Sequence, residues 1–166
     1  MPLESKRIAA LLATHPDDSA WHHAIELDNI LQKKTPATAR RQATLIRKRL
    51  LTLDAAGWEM ISNRESEVQL QLLLAAAIKH SPLLGDFMRT VYALRQRGLE
   101  SALAPHDWPD FLAECAHHAP AVTQWADSTR AKLFQVIVRV LVEAKYLDNA
   151  RSMGLTPRAL HPDVRR

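Results

Sequence analysis

Apolar residues recur along this chain at the three-and-four spacing of helices, not the alternation of strands. Ile8, Leu11 and Leu12 share one face of a first helix predicted over residues 4–14. Pro16 and Asp17 interrupt it, and Asp17 or Asp18 offers a cap for a second helix. That helix carries Trp21, Ile25, Leu27 and Ile30 and is expected to reach Gln32. Thr35-Pro36 joins a capping hydroxyl to a proline at the first helical position, which predicts a third helix over residues 36–53. Asp54 caps a short helix holding Trp58, Met60 and Ile61. Ser62-Asn63-Arg64-Glu65 has capping-box spacing. The helix beyond it, through Leu70, Leu72, Leu73, Leu74 and Ile78, is apolar on most of its circumference, as a buried central helix is.

The second half repeats these signals. Ser81-Pro82 starts a helix with Leu84, Phe87, Val91 and Leu94, and Gly98 is placed to end it. Residues 99–107 read as a loop, with Asp107 as cap of a short helix containing Trp108, Phe111 and Leu112. Pro120 breaks the chain, Asp127 or Ser128 caps a long helix reaching Leu147, and the tail from Ala150 reads as irregular, held by Leu155 and Leu160. Thr38 to Leu53 and Thr129 to Ala144 superpose at an offset of 91 residues, matching Ile46 with Ile137 and Leu50 with Leu141. Two helices with a hydroxyl cap and a basic first turn also produce that echo without common origin. The expected class is all-α: a compact multi-helix bundle, one domain over residues 1–166, with lobes 1–62 and 63–166 as the alternative division. The short junction between helices two and three leaves room for a helix-turn-helix element.

Composition narrows the function. The chain has four glycines in 166 residues, which excludes glycine-rich phosphate loops. A single cysteine, Cys115, excludes a disulfide scaffold and suits a reducing compartment. The N-terminus lacks the apolar core of a signal peptide, and the longest charge-free apolar stretch, Val68 to Ile78, is 11 residues, too short to span a bilayer. The expected location is cytoplasmic, with no membrane partner.

Charge changes the picture most. The formal charge is only +4, but its distribution is uneven. Lys33, Lys34, Arg40, Arg41, Arg47, Lys48 and Arg49 place seven cations before the next acid, Asp54. Ala39, Ala43, Ile46, Leu50 and Leu53 form the apolar stripe of that helix. Arg40 and Arg47 are expected on the opposite side with Thr44 between them, flanked by Arg41 and Lys48. Like charges this close repel one another, and the arrangement becomes favourable when phosphates arrive and release their counterions. The helix start at Thr35 adds main-chain donors that suit an anion. Against this stands an ordinary solvated helix face. A second, weaker cluster comprises Arg130, Lys132 and Arg139, with Arg151, Arg158, Arg165 and Arg166 in the tail. The candidate nucleic-acid contacts are therefore Lys33, Lys34, Arg40, Arg41, Thr44, Arg47, Lys48, Arg130 and Lys132.

Catalytic chemistry finds no matching constellation. His22-His23 and His117-His118 are pairs without a second ligand set, and Cys115 with His118 supplies two ligands where zinc needs three or four. No nucleophile–base signature or nucleotide motif occurs, so no metal, cofactor or enzymatic activity is expected. Trp21, Trp58, Trp108 and Trp125 each fall among apolar neighbours, which favours core packing over base stacking.

Residues from Leu3 to about Asp163 resemble the BrxA family, small subunits of the BREX bacteriophage-exclusion systems. The resemblance rests on Glu4-Ser5-x-x-Ile8-Ala9, Trp21, Asn29-x-Leu31-Gln32, Thr38, Ala39 and Arg41, and Arg49-Leu50-x-x-Leu53. Toward the end it rests on Asp127-Ser128-Thr129-Arg130-x-Lys132-Leu133 and Ala144-x-x-Leu147. It implies a small all-helical protein, remotely similar to the antitermination factor NusB, that binds double-stranded DNA as a non-catalytic accessory subunit alongside other BREX subunits. Two rival readings stay open: a NusB-like RNA-binding factor, and a protein–protein adaptor whose basic face meets an acidic partner.

Overall fold

The computed structural model describes residues 1–63 and 66–164. Their regular elements are all helical, and they cluster into two units: residues 1–80 with the segment from Leu160 onward, and Ser81–Ala159. Arg64 and Glu65, half of the expected capping box, and the tail residues Arg165 and Arg166 lie outside the described residues.

In the first unit, α1 (Pro2–Ala13) buries Ser5, Ile8, Ala9 and Leu12, one helical stripe, and packs chiefly on α4 (Ala55–Asn63). Asp17 caps α2 (Asp18–His22) by accepting the Ala20 N–H at 2.7 Å. The expected continuation to Gln32 does not occur. The helix widens into a π-helical turn, His23–Leu27, and then stops. Ile30 N–H bonds back to the Ala24 carbonyl, and Asn29 adopts a left-handed φ of 47°, which asparagine tolerates better than most residues. The Asn29 side chain then brackets Lys33, accepting its N–H and donating to its carbonyl, both at 2.9 Å. The connector between Leu27 and Pro36 is eight residues, longer than the three to four of a helix-turn-helix.

Helix α3 (Pro36–Leu50) starts as the sequence requires, with the Thr35 hydroxyl accepting the Thr38 N–H, but ends three residues earlier than expected. Leu53 is half-buried outside the helix, in a turn whose N–H bonds to the Leu50 carbonyl. Asp54 caps α4 through the Gly57 N–H. Helix α5 (Ser66–His80) buries Val68, Leu72, Leu74, Ala76 and Ala77. It also buries Gln71, whose side-chain oxygen accepts the His161 N–H and ties down the chain's end beside the turn Pro162–Val164. Leu160, expected to hold that segment, is exposed instead. The core of the unit gathers Ile8, Ile25, Leu31, Ile46, Leu50 and Ile61, with Trp21 at its edge.

The second unit begins with α6 (Pro82–Phe87), capped by Ser81. It continues through a second π-helical turn, Met88–Tyr92, into α7 (Ala93–Arg97). The helix ends before Gly98, as expected, yet the left-handed residue is Leu99, at φ 56°. In α8 (Asp107–His118) Asp107 is inside the helix rather than its cap; its carboxylate accepts the Ala104 N–H and pairs with Arg95. A 3₁₀ turn, Pro120–Gln124, leads to α9 (Asp127–Glu143), which has no side-chain cap and ends four residues before Leu147. Phe87 sits at the centre of an aromatic cluster, 6.0 Å from Trp108 and 5.3 Å from Phe111, and Trp108 stacks on Phe134. Tyr92 donates to the Tyr146 carbonyl at 2.9 Å, and burial pushes its phenol up to about 12. After α9, Asp148 organises a tight loop: it accepts the Asn149 and Gly154 N–H groups and the Ser152 hydroxyl. A Cβ at Gly154 would approach that carboxylate to 2.8 Å, so a side chain there would push Asp148 off its hydrogen bonds.

Candidate nucleic-acid interface

The buried stripe of α3 is Ala39, Ala43, Ile46 and Leu50. At 100° per residue, the direction opposite the mean of those four points to Arg41 and Lys48, with Thr44 beside them. All three are exposed. Arg40 and Arg47 lie instead on a flank of the helix. This corrects the expectation that Arg40 and Arg47 face outward with Arg41 and Lys48 beside them. At that spacing Arg40 and Arg47 stand only about 90° and about 70° from the centre of the buried stripe, whereas Arg41 and Lys48 stand nearly opposite it.

The flank faces α2 and the π-helical turn that follows it, and the two flanking arginines are engaged there. Arg47 is half-buried, with its guanidinium carbon 4.5 Å from the centre of the Trp21 ring. Its Nε atom is buried and without a hydrogen-bond partner. A cation over an indole face gains about 0.5–2 kcal/mol, so Arg47 acts as a packing residue. Arg40 is exposed but lies 3.5 Å from Glu26, which also meets His22 at 3.2 Å. Lys33 is paired as well, its ammonium 2.8 Å from Glu4 with both side chains about four-fifths covered. The Lys33 ammonium beside it holds the Glu4 carboxyl below the usual carboxylate range, against the opposing effect of burial.

Lys34, Arg41 and Lys48 are the exposed cations of the run that have no ion-pair partner among the described residues. Arg41 and Lys48 stand two helical turns apart, roughly 10 Å along the axis. The helix start is a weaker anion site than the sequence suggests, because Pro36 has no N–H and Thr35 already occupies that of Thr38. Arg130 and Lys132 belong to the second unit. Arg130 is half-buried: its Nη2 donates to the Thr123 carbonyl, and its own carbonyl accepts the Trp108 indole N–H. Lys132 is exposed on α9. The nine candidates thus divide between the two units, and within the first Lys34, Arg41, Thr44 and Lys48 are exposed without an ion-pair partner among the described residues, while Arg40 is exposed beside Glu26.

Glu4, Trp21 and Glu26 shape this surface and were not foreseen in that role. They contact α3 or its approach from 14 to 29 positions away in sequence, and no local pattern signals such pairing. Elsewhere, no three His, Cys, Asp or Glu side chains among the described residues converge as a metal would require. Burial pushes the Cys115 thiol up, reinforced by Asp86 and Glu114, so it remains protonated. Among the described residues no helix is long and apolar enough to cross a membrane.

The chain is similar over residues 1–166 to the model of the BrxA family. A protein named BREX protein BrxA from Paramagnetospirillum magneticum is 39% identical over 152 residues, covering 92% of this chain and 76% of that protein. Another of the same name from Escherichia coli O9:H4 is 36% identical over 164 residues, covering 99% and 77%. A crystal structure of an uncharacterized protein from Magnetospirillum magneticum matches with a TM-score of 0.86 at 35% identity, covering 98% of this chain and 83% of that one.

Proposed function

The chain belongs to the BrxA family of the BREX phage-defence systems, and on that premise we propose that it is a non-catalytic subunit that binds double-stranded DNA through its phosphates. The observation that carries this reading is the outer face of α3, where Arg41, Thr44 and Lys48 stand exposed, with Lys34 just before the helix. Such a face repels itself until a polyanion neutralises it. Thr44 adds a hydroxyl donor suited to a phosphate oxygen.

Duplex backbone is favoured over unpaired bases because recognition of single strands relies on exposed aromatic platforms. Trp21 and Trp108 are buried, and the exposed large apolar residues among those described are aliphatic. A non-catalytic role fits the titrating groups. Cys115 stays a thiol, and Glu4 and Asp148 are held down by hydrogen bonds to Lys33 and to Ser152 with nearby main-chain N–H groups, structural duties in both cases.

Fluorescence anisotropy of a labelled duplex, titrated with the full chain at several salt concentrations, tests the reading. Affinity should fall linearly on log–log axes as salt rises, and unlabelled duplex DNA should compete better than single strands or duplex RNA. Binding that is indifferent to salt, or stronger competition by duplex RNA, would displace it in favour of a protein adaptor or an RNA-binding factor respectively.

A further inference from the structure

A groove of the second unit lies between the α7 segment and α8, with a volume near 660 Å³. Its walls are Val91, Leu94 and Phe111, a size and apolar character ordinary for a binding cleft. One side is made rigid by Arg95, which grips the buried Asp107 carboxylate through Nε and Nη2 at 2.7–3.1 Å. Leu94 projects at the mouth with 68% of its surface exposed. Leu99, between the lining residues Gly98 and Glu100, is 92% exposed and held in the left-handed region that leucine avoids. Exposed leucines beside an apolar cleft mark a contact surface more often than scattered single ones do.

The groove is also acidic on a basic protein. Arg95 and Arg97 face Glu100, Asp107, Asp110 and Glu114, two cations against four carboxylates, so the lining carries −2 while the chain carries +4. Asp110 and Glu114, one turn apart on α8, are exposed and have no ion-pair partner among the described residues. An occupant must therefore present apolar side chains between cations. This chain has such a surface: on α3 the exposed Leu45 lies between Arg41 and Lys48, with exposed Leu51 at the helix end.

We infer that this groove docks the outer face of α3 from a second copy of the chain, with Leu45 and Leu51 against Leu94 and Phe111 and with Arg41 and Lys48 against Asp110 and Glu114. The two faces differ, so each copy offers one groove and one α3 face to its neighbours. It does not depend on the nucleic-acid reading, but it uses the same cations. A polyanion on α3 therefore displaces the neighbouring copy.

Sedimentation velocity of the full chain, freed of nucleic acid, tests the pairing. At low salt the average mass should rise above the 18.7 kDa monomer with concentration and return to it at high salt. Asp110→Lys with Glu114→Lys, and separately Arg41→Glu with Lys48→Glu, should each remain monomeric. An equimolar mixture of the two should associate again, because every groove then meets a face of opposite charge. Leu94→Glu should also be monomeric, and circular dichroism should show parental helicity for all variants. The inference is overturned if the parent stays monomeric at low salt, if either charge variant alone associates like the parent, or if the folded mixture fails to associate. Association that survives both charge reversals but is lost in Leu94→Glu would overturn the pairing with α3 and assign the groove a purely apolar partner face.

Discussion

Replacing Arg41 and Lys48 by alanine removes the two outward cations of α3 without disturbing its buried stripe. Both side chains are exposed and lie opposite Ala39, Ala43, Ile46 and Leu50, so stability should change by about 0.5 kcal/mol or less. Each cation that neutralises a phosphate contributes about −0.9 to the slope of log affinity against log salt. Losing both should flatten the slope by about 1.8. Over a fourfold rise in salt the parent should then lose about twelvefold more affinity than the variant. Anisotropy of a labelled duplex reads this directly. Arg47→Ala is the internal control, because that guanidinium sits over Trp21. It should leave the slope near the parent's while removing about 1 kcal/mol of cation–π contact. For a chain of this size that lowers the thermal midpoint by roughly 2–4 °C. The reasoning fails if the double alanine variant keeps the parental slope, or if Arg47→Ala flattens it equally without loss of stability.

Three further outcomes follow from the same geometry. Ile46 is 2% exposed, so Ile46→Asp should bury an unpaired charge and abolish cooperative thermal unfolding by circular dichroism; a parental transition would contradict the placement of the core. Glu26→Gln should release Arg40 from its acidic partner and steepen the salt slope by up to about 0.9, and an unchanged slope would mean that Arg40 never reaches phosphate. The Glu4 carboxyl is depressed by Lys33, so the pair contributes stability above the ordinary value of 4.5 and loses it as pH falls through the lower, folded value. Lys33→Met should flatten that acid limb in urea midpoints measured against pH, whereas an acid limb identical to the parent's would show that the pair adds nothing.

Much of the architecture could be read from the sequence because the signals are local. Thr35-Pro36, Ser81-Pro82 and Asp54 act through side chains three residues from the N–H groups they satisfy, and they start helices where expected. Helix ends were less legible. The π-helical turn at His23–Leu27 and the left-handed Asn29 follow from a hydrogen-bond pattern that apolar spacing does not encode. Asp107 looked like a cap because caps and buried ion-pair members are the same residue type; its distant partner Arg95 decides between them. On α3 the cations were legible as a group but not individually. Arg47 differs from Arg41 only by its angle on the helix and by the presence of Trp21, which lies 26 positions earlier. Ile46 with Ile137 and Leu50 with Leu141 are indeed buried in both helices of the internal echo, yet α3 has a hydroxyl cap and α9 has none.

Nuclear magnetic resonance on isotope-labelled protein titrated with a short duplex locates the contact most directly. The amide signals of Arg41, Thr44 and Lys48, with Lys34 before the helix, should move progressively, while those around Trp21 and Arg47 stay nearly fixed. Shifts concentrated instead on α9 around Arg130 and Lys132, or no shifts at concentrations where anisotropy reports binding, would contradict the assignment of duplex binding to the outer face of α3.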